Sequence, residues 1–314
     1  MERLIFIPQY PTSMRYQEWW LPMFQEKFKT HFKSILTLGK LPSNNLALGQ
    51  EFAPFTQSIQ FEQSQIDEYL SLEIRKDDIL LLNDLSYPGL FAQMLFHKRP
   101  NRCFAICHAT SKNRYDYFSK DRNSKYSIEK SVGKLFKKVF VASNYHAQKL
   151  NWNNLVIAPF PFQPFQSPEI IVPIEKRIRN IVSISRSGIQ KRNHILESTV
   201  ENFIGQSIDT PKNRNTWDSY NAFLQSSKVV LITSKEETYG YQVIDAVRNG
   251  CIPIAPATCS YPELLSKDYL FTDIPDLILK VNKALTGQLP IPRLLVEESQ
   301  KEFFNILFHE FDNA

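Results

Sequence analysis

Two acids, Glu237 and Asp245, stand eight positions apart with Gly240 between them. They follow a strand-like run, Lys228–Thr233, and the stretch after them has helical spacing closed by Asn249-Gly250. A strand, a tight polar turn and a helix start together form an anion site, because the first N–H groups of a helix have no partner within it. Those around Gly240, Tyr241, Gln242 and Val243 suit a diphosphate, and Gly240 allows close backbone approach. A carboxylate near a helix start can accept two ribose hydroxyls. With Asp245 a little over one turn into the helix, both acids can face one ligand. The chemistry expected is recognition of a phosphate-bearing ligand at the carboxyl end of a strand.

The elements that must position these residues alternate between strand and helix. In the first half, Leu4–Pro8, Ile35–Leu38, Asp78–Leu82, Cys103–Cys107, Lys138–Ser143 and Leu155–Ala158 read as strands. Helical spacing covers Trp19–Phe32 and Pro88–His97. Five prolines between Pro159 and Pro173 mark a linker. Beyond it come strands at 179–185, 228–233, 252–255 and 269–271. Helices follow from about 192 and at 241–249, 261–266, 275–285 and 296–311. Between Lys191 and Lys228 there is room for about one helix and one loop. The pattern predicts an α/β protein of two Rossmann-like, doubly wound domains facing across a cleft. The expected domains are 1–165 and 166–295, with 296–314 a C-terminal helix crossing back toward the first.

Composition narrows the class. The 314 residues are 43% hydrophobic, enough for two cores, and no apolar run reaches the roughly 18 residues of a membrane span. The N-terminus begins directly in a strand and lacks signal-peptide architecture, so a cytoplasmic protein is expected. Four cysteines, spaced by four and eight within their pairs, fit neither a zinc knuckle nor a redox pair. The net charge of +5 is mild, but Lys112–Lys138 holds nine cations against three acids. Such a stretch is a solvated face or a contact for a polyanion.

Glu237, Tyr239-Gly240, Asp245-Ala246, Gly250 and Pro253 resemble the donor-site motif of retaining GT-B glycosyltransferases of the family 4 type. That motif has two glutamates separated by seven residues, with Gly-Phe-Gly after the first acid and Glu-Ala-Met-Ala-x-Gly-x-Pro closing it. Thr238 stands for the usual glycine, Gln242 for the proline, and the shorter Asp245 for the second Glu. Arg186-Ser187-Gly188-Ile189-Gln190-Lys191 is similar to the family's Gly-Arg-x4-Lys segment, with Ser185 in place of its glycine. The resemblance implies that Arg186 and Lys191 hold the donor diphosphate, Glu237 the transferred sugar and Asp245 the ribose, with Thr238 to Val243 lining the donor. It implies that His108, at a strand end, touches the sugar near the anomeric carbon. His108, Glu237, Arg186 and Lys191 are thus the catalytic candidates. They would position and stabilise charge during front-face attack, with retention and without a metal or cofactor. The donor would be a nucleotide-diphosphate sugar, most naturally a UDP- or GDP-sugar.

Acceptor candidates are Arg15, Tyr16 and Trp19, with Arg114, Tyr115 and Tyr117 after His108. The close Cys251-Ile252-Pro253 … Tyr261-Pro262-Glu263 looks like that of enzymes that mannosylate queuosine in tRNA. Phage enzymes that glycosylate hydroxylated DNA bases are a further resemblance, and would place the chain in a host cytoplasm. The favoured acceptor is a hydroxylated base in DNA or RNA, reached through Lys112–Lys138. The alternative is a cell-surface polysaccharide or glycolipid, with that basic surface in peripheral membrane contact. A nucleotide-sugar epimerase and a non-catalytic polyanion-binding protein of the same fold are the readings from other classes.

Overall fold

The computed structural model describes residues 3–40, 55–85, 95–96, 98–115, 122–162, 172–185, 191–211, 216–296 and 299–314. The chain divides into two compact units, Met1–Pro164 with Ser299–Ala314, and Phe165–Glu298. Among the described residues, no helix is long and apolar enough to cross a membrane.

The first unit is built on six parallel strands in the order β2-β1-β3-β4-β5-β6. They are β1 (Arg3–Ile7), β2 (Ser34–Thr37), β3 (Ile79–Leu82), β4 (Arg102–Ile106), β5 (Lys138–Val141) and β6 (Leu155–Ile157). Leu4–Ile7, Ile79–Leu82 and Cys103–Ile106 are buried without alternation. Helices cover both faces of such a sheet, so polar side chains emerge only beyond the strand ends. The order reverses between β1 and β3, and the crevice outside their carboxyl ends is where ligands enter sheets of this kind. Gln9 and Asp84 meet there in a hydrogen bond.

Among the described residues the unit has the helices α1 (Tyr16–Lys29), α2 (Phe55–Ser71), α3 (Arg122–Gly133), α4 (Asn144–Leu150) and α9 (Ser299–Asp312). The helical pattern expected at Pro88–His97 falls mostly outside the described residues. α2 and α4 have no counterpart in the sequence reading. In α2 the inward positions are Phe61, Gln65 and Tyr69, so a glutamine breaks the apolar stripe. Gln65 is buried because its amide donates to Pro8 O and Leu38 O, tying together the chain beyond β1 and β2.

Trp20, Phe24 and Phe28 recur every four residues on α1 and form its inner face. Phe24 stacks on Phe6 of β1 at 5.7 Å. On its other side lie Phe303 and Phe304 of α9, at 5.7 and 5.1 Å. Phe311 reaches Phe104 of β4 at 4.7 Å. Polar contacts anchor the end of α9: Arg102 donates to Phe311 O, Lys137 to Ala314 O, and Lys138 pairs with Glu310 at 3.6 Å. The last helix is therefore part of the first unit.

The second unit holds four parallel strands in the order β10-β9-β8-β7: β7 (Arg179–Val182), β8 (Ser227–Leu231), β9 (Ile252–Pro256) and β10 (Leu270–Phe271). Its helices are α5 (His194–Ile204), α6 (Trp217–Gln225), α7 (Tyr241–Arg248) and α8 (Ile274–Leu285). Two sequence expectations need correction. Between Lys191 and Lys228 there are two helices rather than one, and Asp209 makes a one-residue parallel bridge to Val182. The helix expected at 261–266 is instead two 3₁₀ turns, Tyr261–Glu263 and Lys267–Tyr269. Pro262 supplies no N–H, and Ser266 is extended between the turns.

Phe303 is fully buried among the rings of Trp20, Phe24, Phe160 and Phe304. Phe303→Ala should therefore destabilise the chain by about 3–5 kcal/mol, measured by urea unfolding.

Candidate functional site

The second unit gathers its chemistry at the carboxyl ends of β7 and β8. Gly240 caps α7 with φ at +100°, a left-handed conformation that favours glycine. A side chain there would also meet Leu264 at 2.9 Å and the Tyr261 ring at 3.2 Å. Fully buried Tyr261 thus forms the floor under the turn. Buried Ser260 donates to Glu237 O and Tyr239 O, at 3.3 and 2.9 Å, holding the turn from the same side. The Tyr-Pro-Glu close is in this way a support for the turn that carries Glu237.

Lys191 and Glu237 meet in an ion pair, Nζ to Oε2 2.9 Å, with both side chains largely buried. The loop carrying Lys191 is held by a second carboxylate that the sequence reading missed. Glu197 of α5 is 3% exposed. It accepts bonds from the Arg192 guanidinium at 2.6–3.0 Å and from the hydroxyls of Thr233 and Ser183 at 3.2 and 3.4 Å. Ser234 Oγ donates to Lys191 O, and Asn193 N to Thr233 Oγ1. Arg186 lies outside the described residues, so only Lys191 of the expected cation pair can be placed.

Around the helix start, Ser185 donates to Gln242 Oε1 at 3.0 Å, joining the chain after β7 to α7. Thr238 N donates to Glu237 Oε1, and the Tyr239 and Tyr241 rings meet edge to face at 5.1 Å. Thr238 and Tyr239 are buried, whereas Tyr241 and Gln242 are partly open. The expectation for Val243 needs correction. Its N–H donates to Gly240 O within the first turn, and its side chain is fully buried, so it offers no group to a ligand.

Asp245 accepts a bond from the Tyr220 hydroxyl of α6 at 3.0 Å. Burial pushes its carboxyl up to about 6, with the Tyr220 bond and the positive charge of Arg248 pulling the other way. The carboxylate expected to meet a ribose is therefore already held by a neighbouring helix. Tyr220 carried no sequence signal, since only packing brings it to Asp245.

In the first unit, His108 follows β4 and is buried. Its Nε2 lies 2.9 Å from Asn83 O, an acceptor, so that nitrogen carries the proton. The ring stacks on Tyr16 at 4.8 Å and sits 4.7 and 4.8 Å from Trp20 and Phe160. Burial pulls its pKa below the ordinary value, opposed by Asp84 and the Asn83 carbonyl, so the imidazole is neutral at pH 7. Tyr16 and His108 are thus brought together. Arg15 begins α1 and is half-buried. Trp19 is 8% exposed, so little of it is open to an acceptor. Arg114 and Tyr115 are exposed and paired, guanidinium over ring at 5.6 Å, while Tyr117 lies outside the described residues.

The basic stretch Lys112–Lys138 is not a single face. Lys137 and Lys138 bind the end of α9, and Lys112 sits 4.4 Å over the Tyr126 ring. Arg122, Lys130 and Lys134 are exposed, and Lys120 is outside the described residues.

Two outcomes test this geometry. Gly240→Ala should cost about 1–3 kcal/mol in urea unfolding, from strain and the contact with Leu264. Asp245 has a folded pKa raised from 3.8 to about 6, so stability present below pH 4 is lost as pH rises through 6. Relative to Asp245→Asn, the wild type should lose on the order of 2 kcal/mol between pH 4 and pH 7.

No protein-family model matches the sequence. Among solved structures, the chain is similar to the lipopolysaccharide outer core galactosyltransferase WaaB (TM-score 0.63, 11% identity, 99% of this chain and 98% of that one). It is also similar to a structure described as trehalose-6-phosphate from E. coli bound with UDP-2-fluoro glucose (0.58, 12%, 100% and 96%). A third similarity is to an S. aureus TarM mutant in complex with Fondaparinux, alpha-GlcNAc-glycerol and UDP (0.56, 14%, 79% of this chain). The chain spans only 58% of that TarM structure's length. At these identities the likeness is one of fold, and the fold is the parallel α/β architecture of the GT-B type.

Proposed function

We propose that the protein is a glycosyltransferase that moves a sugar from a nucleotide-diphosphate sugar to a hydroxyl acceptor. The observation that carries this reading is the largely buried Lys191–Glu237 pair beside the Gly240 helix start, at the carboxyl ends of two parallel strands. A cation and a helix start together neutralise a departing diphosphate. Arg186, five residues before Lys191, adds the second cation. Glu237 accepts hydroxyls of the transferred sugar, and Asp245, oriented by Tyr220, accepts a ribose hydroxyl. His108 contacts the sugar as a neutral imidazole and transfers no proton. Front-face attack with retention, independent of metal, follows from the family 4 resemblance. The bound UDP and UDP-2-fluoro glucose named for two of the fold relatives favour a uridine donor.

The acceptor we favour is a saccharide or glycoconjugate rather than a nucleic acid. The fold relatives named above act on or bind saccharides by their descriptions, and Lys137 and Lys138 of the basic stretch are engaged with the end of α9. Transfer of label to oligosaccharide or lipopolysaccharide fragments, and none to DNA bearing hydroxymethylated bases, is the expected result. The reverse outcome restores the nucleic-acid reading.

A thermal-shift screen against UDP-, GDP-, ADP- and dTDP-sugars should raise Tm for one nucleotide class by mass action. Lys191→Ala and Glu237→Ala should each lower kcat/KM for that donor by about 10²–10³-fold, and EDTA should leave the rate unchanged. Normal turnover in both variants would remove this site from the reaction. Absence of any donor hydrolysis by the wild type would support the non-catalytic reading.

A further inference from the structure

The charge-bearing helix α3 carries one acid that faces inward. Glu129 is 1% exposed. Its Oε2 accepts three bonds from the turn after His108: Ser111 Oγ at 2.5 Å, Ser111 N at 3.0 Å and Thr110 Oγ1 at 3.2 Å. Thr110, Ser111 and Asn113 are themselves buried. From α4, Lys149 donates to Asn113 Oδ1 at 2.8 Å, and Cys107 Sγ donates to Ala109 O at 3.0 Å. The segment from His108 to Asn113 is thus fastened at several points, and Glu129 holds its centre. No step proposed above uses this carboxylate.

We propose that Glu129 is a positioning residue, which fixes the Thr110–Ser111 turn and thereby holds His108 on one side and the Arg114–Tyr115 segment on the other. The inference rests on the glycosyltransferase reading, in which His108 contacts the sugar. A misplacement of about 1 Å at such a group is enough to slow a reaction by one to two orders of magnitude.

The charge state of Glu129 supplies a readout that a purely structural acid would not give. Burial pushes its carboxyl up to about 7, against the bonds from Ser111 and Thr110, while Asp84 adds to the rise. The other titratable or charged groups around it are Cys107 just after β4, His108 and Lys112 of the turn, and His146 and Lys149 of α4. Burial holds the Cys107 thiol well above its ordinary pKa, and it holds His146 down at about 3. The ionised carboxylate is the stronger acceptor for three donors, so the turn tightens as pH rises through 7. Because the folded pKa is raised, stability moves the opposite way and falls over the same range. Activity and stability should therefore change in opposite directions around pH 7.

The test uses the full chain and hydrolysis of UDP-glucose, UDP-galactose or UDP-N-acetylglucosamine, whichever shifts Tm. Glu129→Gln should lower kcat about tenfold with donor KM within twofold of wild type. It should also abolish the rise in rate across pH 6–8. Ser111→Ala, a milder change, should act in the same direction. In a His108→Ala background, Glu129→Gln should add no further loss of hydrolysis, since without an acceptor both act through His108. Rates within twofold of wild type in both single variants would overturn the proposal. So would full additivity with His108→Ala, or a loss of rate that only tracks a fall in Tm. A wild type that neither binds nor hydrolyses any nucleotide sugar would overturn the parent reading as well, which separates the two failures.

Discussion

Every paired strand in the described residues runs parallel to its neighbour, and this constraint shapes the molecule. Parallel strands are joined by crossovers that place helices over both faces of a sheet. The strands must then be apolar throughout, as Ile79–Leu82 and Val229–Leu231 are. Polar groups can leave the core only past the strand ends, and at the carboxyl ends the chain turns toward the next helix. His108, Asp84, Ser185, Thr233 and Glu237 all lie just beyond strands for that reason.

Loops at strand ends do not hold their own shape, and both units meet the problem with a buried glutamate. Glu197 on α5 gathers Arg192, Thr233 and Ser183 around the loop that carries Lys191. Glu129 on α3 gathers Thr110 and Ser111 after the strand that carries His108. In each case a carboxylate away from water accepts several hydrogen bonds, and removing it would strand their donors. The first unit adds a wall of rings from α1 and α9 against β1 and β4, so the end of the chain contributes to the same core as its beginning.

The fold class was legible because its signals are local. Unbroken apolar runs, glycine and proline punctuation and four-residue aromatic spacing give parallel strands and helices without knowledge of partners. The misses have equally physical causes. α2 places Gln65 at an inward position, where two backbone carbonyls satisfy it and a pattern of apolar residues does not reveal it. The 261–266 stretch has helical spacing, but Pro262 and an extended Ser266 divide it. At the candidate site, Glu237 and Gly240 stood out by type and spacing, and Lys191 and His108 only by the family resemblance. Tyr220, Glu197, Ser260 and Glu129 did not, because each acts through a residue distant in sequence.

By itself the sequence determined the two parallel α/β units and the residue types at their strand ends, since backbone periodicity and turn chemistry depend on neighbours in the chain. Only the tertiary structure decided how those residues are held. It paired Lys191 with Glu237, put Tyr220 on Asp245, enclosed Val243, and divided the basic stretch between an exposed face and the anchoring of α9. The physical reason is that a charge or hydroxyl has no fixed role until packing sets its distance from a partner and its exposure to water.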